Sequence, residues 1–226
     1  MNDDSYLQEP KVTAWLSSLA QAGCSVQEVT PLQLLHRSNG ELLFALLKLD
    51  ATGPDGNRLL PYIFVRGHAC IIVPLLRNRA TGAERFLMVQ QRRTGHGHLC
   101  LEFPAGMLDR EIDDPAGVAL RELREETGLR IEPRRLHKLC EKPMYSSPGA
   151  TDEAIHYFGC IVELDADDFA SFEGRLGGSA SEYEIIRATL KTREDAEKAN
   201  MSLQAQLGFF LFDRARPALE ERNAAA

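Results

Sequence analysis

Arg121-Glu122-Leu123-Arg124-Glu125-Glu126-Thr127-Gly128-Leu129 sets three carboxylates among arginines within about a turn and a half of helix. Glu122, Glu125 and Glu126 stand at i, i+3 and i+4, so the spacing predicts one acidic face with Cβ atoms roughly 5 to 6 Å apart. Like charges at that spacing oppose a helix by only about 0.2 to 0.5 kcal/mol per pair. A solvated acidic helix tolerates that, and a bound cation converts the repulsion into attraction. The flanking sequence favours the cation. Upstream, Leu101-Glu102-Phe103-Pro104-Ala105-Gly106-Met107-Leu108-Asp109 reads as a short apolar strand running into a Pro/Gly loop. Asp114-Pro115 supplies an N-cap with proline at the first helical position, and Gly128 is placed to stop the helix. Ala116, Ala119, Leu120, Leu123 and Thr127 form its less polar line.

Three carboxylates suit a hard divalent cation such as Mg²⁺, which keeps several waters and shares its remaining positions with substrate phosphates. Phosphate chemistry follows, because such an ion polarises a phosphoryl oxygen and lowers the pKa of an attacking water. Arg121 is placed to hold one glutamate by a charged hydrogen bond.

Gly106 to Leu129 resembles the Nudix box, the signature of Mg²⁺-dependent hydrolases that cut nucleoside diphosphates linked to another group. The family pattern is a glycine, five residues, a glutamate, seven residues, then Arg-Glu-apolar-x-Glu-Glu-x-Gly-apolar. Arg121 to Leu129 matches at every fixed position. The first half departs from it: Asp113 stands where the glutamate is expected, and six residues separate it from Gly106. Two further stretches resemble the ADP-ribose and ADP-sugar diphosphatase branch, with the plant-type ADP-sugar enzymes the nearest in pattern. These are Glu102-Phe103-Pro104-Ala105-Gly106 and the loop Ser146-Ser147-Pro148-Gly149-Ala150-Thr151-Asp152-Glu153.

The resemblance implies an α/β fold, an α/β/α sandwich with a mixed β-sheet, plus a small N-terminal α+β appendage. It implies metal ligation by Glu122, Glu125, Glu126 and the carbonyl of Ala105, with Glu125 in a second-metal or supporting place and Arg121 orienting a glutamate. Arg93, Glu102, Ser147 and Gly149 are the implied substrate contacts. The water-activating acid falls in a late loop, at Glu182 rather than Glu184, since the alternation Tyr183, Ile185 makes Glu184 an outward strand residue. The expected reaction is Mg²⁺-dependent (or Mn²⁺-dependent) hydrolysis of an ADP-sugar to AMP and a sugar phosphate. UDP-glucose and dinucleotides are the alternative substrates, and a non-hydrolysing ADP-ribose sensor the alternative class. In relatives of this branch a hydrophobic N-terminal hairpin helps build a homodimer, so the resemblance implies one here.

Composition narrows the partners. At 226 residues the chain can bury a large core, and a formal charge of -7 disfavours a nonspecific nucleic-acid binder. Cys24, Cys70, Cys100, Cys140 and Cys160 are widely spaced with no Cys-x-x-Cys pair, which fits buried thiols in a reducing compartment. The acidic start lacks a secretory pattern and no apolar run is long enough to span a bilayer, so the expectation is a cytoplasmic protein without membrane contact, or an organellar one if a presequence is missing. The six histidines show no helical metal-ligand spacing.

Periodicity and composition divide the chain into 1–60, an N-terminal helix and β-hairpin to which the resemblance gives a dimerising role, 61–218, which the resemblance makes the hydrolase domain, and 219–226, a C-terminal tail. The pattern predicts a helix at 10–22 and strands at 32–37 and 41–49 about the turn Ser38-Asn39-Gly40. It then predicts strands at 62–66, 69–76, 85–92, 100–103, 136–141, 153–163 and 182–189, and a final helix at 193–200 continued by 202–214.

Overall fold

The structure, a computed structural model, describes residues 4–109, 114–178, 185–199 and 201–224. In chain order, helix α1 (Pro10–Gln21) precedes strands β1 (Ser25–His36), β2 (Leu42–Thr52), β3 (Tyr62–Val65), β4 (Ala69–Asn78), β5 (Glu84–Arg92), β6 (Leu99–Glu102) and β7 (Ala105–Met107). Helix α2 (Pro115–Thr127) is followed by β8 (His137–Lys138), β9 (Met144–Tyr145), β10 (Ala154–Leu164), α3 (Ala166–Ala170), β11 (Leu176–Gly177) and β12 (Ile186–Lys191). Helices α4 (Arg193–Glu197) and α5 (Leu203–Ala224) complete the chain. Two compact units result. The first takes Met1–Ala69, Met107–Asp114 and Met144–Ile155, and the second Cys70–Gly106, Pro115–Pro143 and His156–Ala226.

The first unit is built on an antiparallel sheet ordered β1-β2-β3. β2 alternates strictly: Ala45, Leu47, Leu49 and Ala51 are buried while Leu46, Lys48 and Asp50 face solvent. The buried set packs with Val12 and Trp15 of α1, Tyr6 and Val65 into one core. At the hairpin tip, Gly40 adopts φ +86° and Asn39 Oδ1 accepts the Glu41 amide at 3.0 Å. β1 starts at Ser25, earlier than expected, because it is an exposed edge strand without an apolar alternation; its pairing from Ser25↔Thr52 to His36↔Leu42 is what holds it.

In the second unit the sheet runs β11-β12-β5-β4-β10-β8, with β6 beside β5 and β7 beside β4. β4 is buried along nearly its whole length, as a strand covered on both faces must be. Cys70 on one face meets the charges of Glu122 and Glu126 from α2, whereas Val73, of opposite parity, lies against Gly208 of α5. Helices therefore cover both sides, and the expected α/β/α sandwich is borne out. On the α5 side, Phe86 and Phe103 pack edge-on to Phe209, with ring centroids 4.8 Å apart in each pair.

The C-terminal end departs from expectation. The single late helix is two, because Thr192 caps α4 through the Asp195 amide at 3.0 Å and Ser202 Oγ accepts the Ala205 amide at 3.1 Å to start α5. Residues 219–224, expected as part of a tail, belong to α5. Leu219 is buried there, and Arg77 and Arg216 tie Glu220 and Glu84 into a cluster between the β4–β5 hairpin and the helix, at distances of 2.7 to 3.3 Å. The strand expected at 182–189 begins at Ile186, with 182–184 outside the described residues.

All five cysteines are free thiols; Cys70, Cys100 and Cys160 are buried, and Cys24 and Cys140 partly so. Among the described residues no helix is long and apolar enough to cross a membrane. Leu47 is fully buried in the first unit's core, so Leu47→Ala is expected to lower stability by about 2 to 5 kcal/mol. Urea unfolding followed by fluorescence of Trp15, the chain's single tryptophan, checks it, and an unchanged midpoint would show that this core does not support the unit.

Candidate active site

Helix α2 begins at Pro115 and stops at Gly128, whose amide donates to Arg124 O at 2.8 Å in a φ +78° conformation suited to glycine. Val118, Ala119, Leu123 and Thr127 form its buried line, and Glu126 is buried with them, only 7% exposed. A carboxylate so placed needs a donor. Glu126 Oε2 accepts the backbone amide of Ala105 at 3.1 Å. One turn earlier, Glu122 lies against the next residue of the same segment: a Cβ on Gly106 would collide with the Glu122 side chain from Cγ to Oε1. The glycine is thus a requirement of close approach between β7 and α2, in addition to any turn it makes.

Both carboxylates register at a third group. Burial pushes the Cys70 thiol up to about 12, and the neighbouring charges of Glu122 and Glu126 push in the same direction against a hydrogen bond with the Gly106 backbone. Cys70 is therefore a protonated, inert wall beside two acids. Arg121 Nη2 lies 3.4 Å from Glu122 Oε1.

Glu125 separates from this pair. It is half exposed, and its Oε1 meets Arg124 Nη2 at 3.0 Å. Helical geometry explains the difference, since residues four apart differ by roughly 40° about the axis and adjacent ones by roughly 100°. The expected single face of three acids is a pair, Glu122 and Glu126, with Glu125 on the outer side. Among the described residues no three His, Cys, Asp or Glu side chains converge on one point. Two carboxylates at a strand backbone still form a set of hard oxygen donors, a chemistry that fits Mg²⁺.

Arg93 and Glu102 meet where the β5–β6 hairpin opens. Arg93 Nη2 and Nε both reach Glu102 Oε2, at 2.7 and 2.9 Å. The loop between them is tight: the Gly97 amide donates to Arg93 O at 2.8 Å, and the His96 and His98 rings stack at 5.7 Å.

Ser147 and Gly149 belong to the first unit, in an exposed turn where Ser147 O accepts the Ala150 and Thr151 amides at 2.9 and 3.0 Å. The buried residues of that loop are ones the sequence reading did not single out. Asp152 Oδ1 accepts the Arg66 amide at 2.8 Å, and Glu153 Oε1 meets Arg66 Nη1 at 3.0 Å. Burial raises the Asp152 pKa and lowers that of nearby His68. Two adjacent acids beside a serine-proline-glycine turn were the available signal. Asp113, Glu182 and Glu184 lie outside the described residues.

Backbone also closes the far end of α2. Gly177 of β11 packs so closely on the Glu125 and Glu126 carbonyls that a Cβ would collide with Glu126 O, and the Arg175 guanidinium covers Gly128. A cation there complements the negative end of the helix. Gly106→Ala and Gly177→Ala are each expected to cost about 1 to 3 kcal/mol by overpacking. Gly149→Ala, whose Cβ meets open space, should stay within about 0.5 kcal/mol. Thermal melting of the three variants decides, and equal melting temperatures would contradict the close approach.

A family model described as "NUDIX domain" matches residues 66–196. The chain is 24% identical over 181 residues to "Nudix hydrolase 14, chloroplastic" of Arabidopsis thaliana, covering 76% of this chain and 58% of that protein. It is 32% identical over 139 residues to "ADP-sugar pyrophosphatase" of Mus musculus, covering 60% of each. It thus spans less than two thirds of the length of these curated relatives. A solved structure titled "Crystal structure of ADP compounds hydrolase" superposes with a TM-score of 0.53 at 19% identity, over 88% of this chain and 97% of that one, a likeness of fold. Members of this family generally use divalent metal ions, usually Mg²⁺. With more than half of its length matched by the family model, and with Glu122 and Glu126 drawn onto Ala105–Gly106, the chain belongs to the Nudix family.

Proposed function

We propose that the protein is a Mg²⁺-dependent diphosphatase that hydrolyses an ADP-sugar, ADP-ribose or ADP-glucose, to AMP and the sugar phosphate. The observation that carries the reading is the pairing of the Glu122 and Glu126 carboxylates at the Ala105–Gly106 backbone, a hard-donor site on the family's own signature. The similarity to proteins named ADP-sugar pyrophosphatase and, at 38% identity over 97 residues, to the "ADP-ribose pyrophosphatase" of Bacillus subtilis supports the substrate class.

Glu122 and Glu126 would hold the cation with the Ala105 carbonyl, and Arg121 would fix the Glu122 carboxylate. When bound, Mg²⁺ supplies polarised phosphoryl oxygens and a more acidic attacking water. Glu125, on the outer side of α2, would serve a second ion or support the first from outside its ligands. Arg93 donates to diphosphate oxygens, and Glu102 accepts from a ribose hydroxyl while keeping Arg93 aimed. Ser147 and Gly149 offer an exposed turn for the sugar side of the substrate. Glu182 accepts the proton of the attacking water, and cleavage of the phosphoanhydride then leaves AMP and a sugar phosphate.

The protein is proposed to work as a homodimer in the cytoplasm. Leu35, Leu46 and Tyr62 share one exposed face of the β1-β2-β3 sheet with the Phe44–Phe64 ring pair, 5.1 Å apart, an apolar patch suited to burial against a second copy. Five free thiols fit a reducing compartment.

Incubation with Mg²⁺ and a panel of nucleotide sugars and dinucleotides should release AMP fastest from an ADP-sugar. Dominant UMP release would move the substrate to UDP-glucose, and no nucleoside monophosphate from any compound would refute the enzyme. Glu126→Gln should lower kcat by at least about a hundredfold, and Glu182→Gln should lower kcat far more than it changes KM. Sedimentation velocity should give twice the chain mass, with the Leu46→Lys variant at monomer mass; a monomeric wild type would exclude the dimer.

A further inference from the structure

Arg79, Glu132, Arg134, Arg135, Glu163 and Asn223 line a cleft of about 200 Å³, and all of them belong to the second unit. None is a proposed metal or substrate residue. The cleft also stands apart from those residues along the sheet. Arg79 directly follows β4, whose opposite end carries Cys70 beside the charges of Glu122 and Glu126, and the strand from Cys70 to Asn78 spans roughly 26 Å at about 3.3 Å per residue. The volume is below the roughly 300 to 1,000 Å³ of pockets for larger organic ligands. No lining residue is apolar, so the cleft suits a small, charged occupant.

Its charges are not equivalent. Arg134 Nε donates to Glu132, and Arg77 Nη1 stands 3.4 Å from Glu163, so both lining glutamates already have an arginine. Arg135 differs. Its Nη2 donates to Ile161 O at 2.8 Å and to Asn223 Oδ1 at 2.7 Å, both neutral acceptors, and among the described residues no carboxylate stands within ion-pair distance of it. A half-buried guanidinium is thereby fixed in orientation, with its charge and its other N–H groups left for a further acceptor. Arg79 and Arg134 supply the adjustable part. The Arg79 amide donates to Leu164 O at 2.9 Å and Asn78 Oδ1 accepts the Ala80 and Thr81 amides, so the Arg79 backbone is held while its side chain is exposed. Its pair with Asp165 at 3.1 Å, like that of Arg134 with Glu132, faces solvent on both sides. Exposed pairs of this kind contribute little and exchange readily for a better anion.

We propose that this cleft binds a phosphate group, as free orthophosphate or as the end of a small phosphomonoester, with Arg135 as the fixed donor and Arg79 and Arg134 closing on it. Tetrahedral oxygens accept paired N–H donors from guanidinium forks, and a dianion compensates more than one arginine at once. The bound group joins the β4–β5 turn at Arg79, the segment after α2 at Arg134 and Arg135, and the last turn of α5 at Asn223, so its binding stabilises the fold by mass action. The inference goes beyond the hydrolase reading and does not depend on it.

Isothermal titration of the full chain without added metal tests it, with orthophosphate, ribose 5-phosphate and acetate as probes at constant ionic strength. Saturable binding of orthophosphate or ribose 5-phosphate with a Kd of about 1 mM or tighter is expected, together with a higher melting temperature in that ligand. The tighter of the two identifies the free or the esterified phosphate as the occupant. Arg135→Gln should weaken binding about tenfold or more, and Arg79→Gln severalfold. Because the Arg79 side chain is exposed, its variant still decides the matter if Arg135→Gln melts early. Arg93→Ala, at the proposed substrate site, should bind as the wild type does. No saturable binding of either phosphate, acetate bound as tightly as phosphate, or affinity lost in Arg93→Ala but kept in both cleft variants would overturn the inference.

Discussion

The close approach of α2 to the Ala105–Gly106 backbone is the constraint on which the candidate site depends. Glu126 is buried because the Ala105 amide can donate to it, and Glu122 fits because Gly106 has no Cβ. Remove either condition and the helix must retreat or roll, carrying its carboxylates with it. At the other end of α2, Gly177 sits directly on the carbonyls of Glu125 and Glu126. The helix is therefore held at its acidic turn by two glycine contacts from different strands. Such contacts are short and repulsive on compression, so they define position more sharply than apolar packing does.

Much of this was legible in the sequence, for reasons specific to the residues. Pro115 and Gly128 bracket α2 because each has few conformational alternatives, and the alternation along β2 declares its buried face directly. The separation of Glu125 from Glu126 was legible in principle, since it follows from helical geometry once the Leu123–Thr127 line is known to face inward. Other features were not legible. β1 is an exposed edge strand whose order comes from its partner, and no local apolar pattern announces it. The extension of α5 to Ala224 depends on Arg77, Glu84 and Arg216, residues distant in sequence whose pairing with Glu220 no local signal encodes.

Buried charges were the hardest to foresee. Lys11, Asp152 and Glu153 look like ordinary surface residues by type, and only long-range contacts make them interior. Asp152 and Glu153 hold Arg66 at the start of the family match, and Lys11 meets its charge partner at Asp109, three residues after Gly106. Asp152 and Glu153 also show that a motif loop can divide its labour. The Ser147–Gly149 turn is exposed, while the acids that follow it anchor the loop through Arg66 and Gly67.

In the proposed site, Glu122 and Glu126 would hold the divalent ion together with the Ala105 carbonyl. Anomalous scattering from crystals grown with Mn²⁺ tests it most directly. A peak shared by those two carboxylates and the Ala105 oxygen is the predicted result. Mn²⁺ ordered only elsewhere on the chain, with Glu122 and Glu126 bearing none, would contradict it.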